Sequence, residues 1–154
     1  LLRFIYQNDA KFGILQSKKE RGWKTFMKFE MIENAFETET TFGQLTISGN
    51  DEYGFRPYQL LISSIAVCSG GVLRNILDKM RMPAEHISIE VKEVKRNAKI
   101  ANRVEKVHLH FTIKGEAIDA SKMDRVFELT KKNCSMVQSV IDSIEVVETY
   151  EVLN

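Results

Sequence analysis

Two residues in this chain have side chains suited to nucleophilic or redox chemistry, Cys68 and Cys134. A thiolate attacks electrophiles, coordinates soft metals and exchanges with disulfides, so the pair admits either redox work or simple burial as two small core residues. Their neighbours favour the first. Ser69-Gly70-Gly71 follows one and Asn133 and Ser135 flank the other, small or polar surroundings that a merely packed cysteine does not need. The remaining candidates are weaker. His108 and His110 stand two apart on a strand pattern and so share a face, a spacing that can hold zinc, but they lie opposite the apolar set Val107, Leu109 and Phe111. No CxxC or HExxH pattern accompanies them. The segment 92–103 is basic but carries no aromatic ring to stack on a base, and reads as a solvated hairpin.

The elements that must position the cysteines follow from the hydrophobic pattern. Met27, Phe29 and Met31 alternate with Lys28 and Glu30 in a stretch from Trp23 to Ile32, and residues 40–47 continue as strand with a turn or bulge at Gly43. Residues 48–54 form a polar loop. From Pro57 to Met82 the chain predicts one helix of about 24 residues, ~36 Å long, with proline at both ends. Between Leu60 and Val72 it carries no charge and is apolar or small on every face. Such a helix wants cover all round, and a single short domain has few elements to supply it, which favours a second subunit. Strands are expected at 87–92 and 107–114. A second helix, carrying Cys134, is expected from an N-cap near Asp119 to about Asp142, followed by a last strand over 144–152. Strands, long helix, strand pair, helix and strand make an α+β domain rather than a regular βαβ alternation.

Composition limits the function classes. The chain has 154 residues, 44% hydrophobic and 28% charged, with a formal net charge of +1, which suits one domain spanning 1–154 and argues against a nucleic-acid or anionic-membrane partner. No run of about 18 apolar residues is read in the chain, so no membrane span is expected, and the N-terminus is read as lacking a signal-peptide core. A cytoplasmic location follows as the expectation, where cysteines are more often catalytic or redox-sensing than structural.

Four segments together resemble one family. Arg56-Pro57-Tyr58-Gln59-Leu60-Leu61 followed by Cys68-Ser69-Gly70, then Val107-His108-Leu109-His110-Phe111, then Lys132-Asn133-Cys134-Ser135, then Glu148-Thr149-Tyr150-Glu151-Val152 are similar, in this order, to the motifs of OsmC-like proteins. The resemblance covers roughly residues 40–152 and is greater to the CSG/HLHF branch than to the organic hydroperoxide resistance branch. It implies antiparallel sheets around a long buried central helix in an intertwined homodimer. It also implies a thiol peroxidase that reduces organic hydroperoxides in oxidative or osmotic stress defence, with Cys68 peroxidatic, Cys134 resolving, and a lipoyl-type dithiol as reductant. Metals and cofactors have no part in that scheme. Gln59 stands near the family's glutamate, and residues 40–48 lack the arginine that family peroxidases take from their N-terminal strands. Arg56 and Arg96 are therefore the substitutes to examine, with Gln59 as a supporting hydrogen-bonding group and Arg103 further off. The alternative is a non-catalytic protein of the same fold that binds a small apolar ligand at the dimer interface.

Overall fold

The computed structural model describes residues 27–153. Of the N-terminal strand expected over 23–32, residues 23–26 lie outside them.

Three short strands, β1 (Glu30–Ile32), β2 (Ala35–Glu39) and β3 (Gln44–Ile47), form an antiparallel meander. The strand pattern read at 40–42 is instead the turn between β2 and β3, closed by the Thr40 hydroxyl donating to the Gly43 carbonyl at 2.7 Å. Gly43 sits at φ +150°, a backbone state that favours glycine. A bridge from Ile47 to Phe55 ties this meander to the start of the long helix, α1 (Pro57–Lys79).

α1 begins as its sequence dictates. Pro57 occupies the first helical position, where its missing N–H costs nothing, and the Gln59 Oε1 accepts the Arg56 N–H at 3.2 Å. It ends three residues before Met82. Arg81 takes φ 59°, Met82 N–H reaches back to the Leu77 carbonyl at 2.9 Å, and Arg81 N–H reaches Asp78 at 3.1 Å. These two bonds satisfy the last carbonyls and turn the chain toward Pro83.

The second sheet carries the core. β4 (His86–Asn97) and β5 (Arg103–Lys114) make a hairpin whose tip lies in the basic segment 92–103, as the sequence suggested. β6 (Glu145–Leu153) then joins β5 in parallel, so the sheet is mixed, not antiparallel as expected. The reason is the connection. Some thirty residues cross from one end of β5 back to its beginning through two helices, and a crossover of that length delivers a parallel strand. On β5, Val107, Leu109, Phe111 and Ile113 are fully buried beneath the helices, while His108, His110 and Thr112 take the opposite, polar face. Phe111 meets Phe127 edge-on at 5.2 Å between centroids, and Phe127 stacks on Tyr150 at 4.7 Å.

The expected second helix is in fact two helices after a 3₁₀ turn at Ala120–Lys122: α2 (Met123–Asn133) and α3 (Ser135–Val140). Cys134 is the break between them, extended at φ −79° and ψ 109°. Asn, Cys and Ser are indifferent helix formers, and the Asn133 side chain bonds back to the Leu129 carbonyl at 2.7 Å.

α1 packs one face on α2, α3 and the second sheet, through Ile62, Ile65, Ala66, Ser69, Leu73 and Leu77. Burial on every face is not achieved within one chain, since Val67 on the other side is 69% exposed. The reading that no segment is long and apolar enough to cross a bilayer is also corrected: α1 meets both requirements of length and composition. Its inward face is nonetheless the core of a globular unit, with Ile65, Leu73 and Leu77 fully buried.

Candidate active site

The helix break brings the two cysteines together. Cys68 projects from the middle of α1 toward the start of α3, and Cys134 is the residue at which α3 begins. Both are free thiols, Cys68 half-buried and Cys134 fully buried, and the two are close enough that each influences the ionisation of the other. An unbroken helix through 134 would continue to turn this segment away. The kink instead leaves the first residues of α3 beside Cys68, with the Ser135 and Met136 N–H groups among the influences that favour its ionisation. The Ser135 hydroxyl also meets that sulfur, at 3.6 Å.

This environment separates the two thiols. Burial opposes ionisation of Cys68 and is the largest single influence. Against it stand the Met136 N–H, the Cys134 thiol, and the Ser135 hydroxyl and N–H, which together bring the Cys68 pKa below the ordinary thiol range. Cys134 moves the other way. Burial pushes its pKa up, and the neighbouring Cys68 pushes it further because two adjacent thiolates repel, while the Val137 and Met136 N–H groups offset only part of this. Of the two, Cys68 is the thiol favoured to ionise first and Cys134 the one favoured to keep its proton.

Among the described residues of one chain, no cation contributes to lowering the Cys68 pKa. Arg56 is twelve residues before it, about 18 Å along the helix, a distance no arginine side chain spans. Its guanidinium lies 5.1 Å from the Tyr58 ring centre, and that of Arg96 lies 4.8 Å from the same ring while its Nε donates to the Asn102 carbonyl at 2.9 Å. Gln59 caps the helix start, as described. Arg103 pairs with Glu105 at 3.0 Å. Within one chain, then, the two cysteines are brought together and Arg56, Gln59 and Arg96 form a separate group at the N-terminal end of α1. His108 Nε2 and His110 Nδ1 both bond the Thr149 hydroxyl at 2.9 Å, on the polar face of the sheet. Among the described residues no group of three or more His, Cys, Asp or Glu side chains gathers to hold a metal ion.

Three residues near the site escaped the sequence reading as participants. Ser135 and Met136 contribute through geometry alone, although Ser135 was visible beside Cys134. Glu148 had a clearer signal: it is in phase with the inward-facing Val146, Tyr150 and Val152 of β6. Ser69, next to Cys68 and fully buried, donates a hydrogen bond to Glu148 Oε1, tying α1 to β6 across the core. Burial raises the Glu148 pKa, with Ser69 and Lys131 opposing. A carboxyl whose pKa is raised on folding binds more protons in the native state than in the unfolded chain. Its contribution to stability therefore falls as pH rises from the ordinary carboxylate value through the raised folded one. Urea unfolding midpoints of the wild type are expected to decline across that interval, and Glu148→Gln, which still accepts the Ser69 bond, is expected to flatten the decline. An unchanged pH dependence in the variant would remove Glu148 as its source.

Two thiols brought together at an interrupted helix and an apolar core helix, within a two-sheet α+β frame, define a thiol-bearing class of small proteins. The chain belongs to the OsmC-like protein family, whose model matches residues 49–149. Solved structures agree. A hypothetical protein from Aquifex aeolicus VF5 superposes with TM-score 0.73 at 25% identity, covering 82% of this chain and 94% of that one. An OsmC-like protein from Mycoplasma pneumoniae gives TM-score 0.71 at 14% identity over 83% and 96%. An organic hydroperoxide resistance protein OsmC from Legionella pneumophila gives 0.64 at 19% over 82% and 95%. The last two likenesses speak for the fold alone. No functionally curated protein matches the chain.

Proposed function

We propose that this protein is a cysteine-dependent peroxidase that reduces organic hydroperoxides, with Cys68 peroxidatic and Cys134 resolving. In the first step the Cys68 thiolate attacks one peroxide oxygen, an S–O bond forms as the O–O bond breaks, and the alkoxide leaves and takes up a proton. Cys68 is then a sulfenic acid. The Cys134 sulfur displaces hydroxide from it, which leaves as water with the Cys134 proton, and a disulfide results. A dithiol of the lipoyl type restores both thiols, in the reducing cytoplasm where such carriers work.

The observation that carries this reading is the meeting of Cys68 with the start of α3, where its sulfur lies 3.6 Å from the hydroxyl of Ser135, the neighbour of Cys134. Opposite shifts, toward ionisation at Cys68 and away from it at Cys134, add to it. Membership in the OsmC-like family supports the substrate class. The working unit in this reading is a homodimer. Its support is the uncovered face of α1 around Val67 and the exposed Phe29, Met31 and Phe36, which with Ile47 and Pro57 line an open apolar groove of about 600 Å³. That groove also favours the second reading, a binding protein for an apolar ligand with inert cysteines.

Free thiols counted after reduced protein meets cumene hydroperoxide distinguish the two. Both thiols are expected to disappear at one equivalent of peroxide per chain and to return with dihydrolipoamide. Survival of both in folded protein would leave only the binding reading.

A further inference from the structure

The mechanism above needs something to hold Cys68 ionised, and among the described residues the group whose side chain meets its sulfur is Ser135. We propose that Ser135 is a catalytic residue: its hydroxyl donates to the Cys68 sulfur and supplies the stabilisation that a cation would otherwise give. This rests on the peroxidase reading for the identity of the electrophile, though not for the contact itself.

Three features carry the assignment. The Ser135 Oγ is 3.6 Å from Cys68 Sγ, within range for a hydrogen bond to sulfur. With the sulfur ionised, only the hydroxyl can be the donor, because a thiolate has no proton to give. Among the described residues the Ser135 hydroxyl has no competing hydrogen bond, whereas Ser139, one turn on, spends its hydroxyl on the Ser135 carbonyl at 2.7 Å. And Ser135 is exposed while Cys68 is half-buried and Cys134 fully so. Within one chain the hydroxyl beside the reacting sulfur is thus open to solvent, where an arriving peroxide can meet it.

Its place in the reaction follows with protons balanced. Before attack, Ser135 O–H points at the thiolate. As the S–O bond forms, the charge leaves sulfur and accumulates on the departing alkoxide, and the hydroxyl turns its proton to that oxygen. Ser135 recovers a proton from water, and the net products are the Cys68 sulfenic acid and an alcohol.

The test separates the contact from the substrate. The rate of Cys68 alkylation by iodoacetamide is measured against pH in a Cys134→Ala background, for Ser135, Ser135→Ala and Ser135→Thr. Loss of the hydroxyl is expected to raise the Cys68 midpoint by about one pH unit, the size of one charge-assisted hydrogen bond, and threonine is expected to restore it. In the chain with both cysteines, Ser135→Ala is expected to slow cumene hydroperoxide reduction by roughly tenfold at neutral pH. An unmoved midpoint in folded Ser135→Ala overturns the assignment, as does a raised midpoint that threonine fails to restore. If the wild type consumes no hydroperoxide while the midpoint still shifts and threonine restores it, the Ser135 contact stands and the peroxidase reading falls.

Discussion

Cys68→Ser is expected to lower hydroperoxide consumption on the order of a thousandfold or more, because a serine hydroxyl at neutral pH is not the nucleophile a thiolate is. The substitution is nearly isosteric at a half-buried position, so the melting temperature is expected to stay close to that of the wild type. Cys134→Ser is expected to behave differently. The first oxidation of Cys68 proceeds once, giving a sulfenic acid that dimedone traps, and turnover with a dithiol then falls because no partner thiol condenses with it. Single-turnover and steady-state rates measured with cumene hydroperoxide separate the two roles. Turnover that persists in folded Cys68→Ser protein would take the peroxidatic role away from Cys68. Turnover undiminished in Cys134→Ser would take the resolving role from Cys134, leaving the reductant to act on the sulfenic acid directly.

Val67→Glu is expected to convert the proposed dimer to a monomer. Within one chain Val67 is 69% exposed on α1, so a glutamate there stays in water and the subunit keeps its fold. Across an interface that pairs the uncovered face of α1 with a second copy, the same carboxylate is buried twice without a partner. The cost of an unpaired buried charge is several kcal/mol, enough to shift an association constant by more than a hundredfold. Sedimentation of wild type and variant at equal concentration reads the difference directly, with far-UV circular dichroism to show that the variant is folded. A wild type that already sediments as a monomer, or a variant that remains a dimer, would remove α1 from the interface.

Much of the fold was legible because it rests on local periodicity. The two-residue alternation of β5 and the proline-bounded apolar run of α1 are patterns that only one kind of element accommodates, and both stand where the residues predicted. The parallel pairing of β6 was not legible, since strand direction depends on where a thirty-residue connection lands and not on the strand's own sequence. The break at Cys134 was half legible. Asn133, Cys134 and Ser135 weaken a helix, but the flanking apolar spacing of Val126, Val137 and Val140 runs through them as though one helix continued.

By itself the sequence determined which chemistry was available: two thiols, no metal-binding motif, and a long helix too apolar to be satisfied on one side. Only the tertiary structure decided which sulfur is favoured as the thiolate. A thiol's ionisation depends on burial and on the donors within a few ångströms, and these come here from a helix start 67 residues further along the chain. It also decided that Arg56, Gln59 and Arg96 sit apart from the cysteines in one subunit, because a helix converts twelve residues of separation into a rigid length.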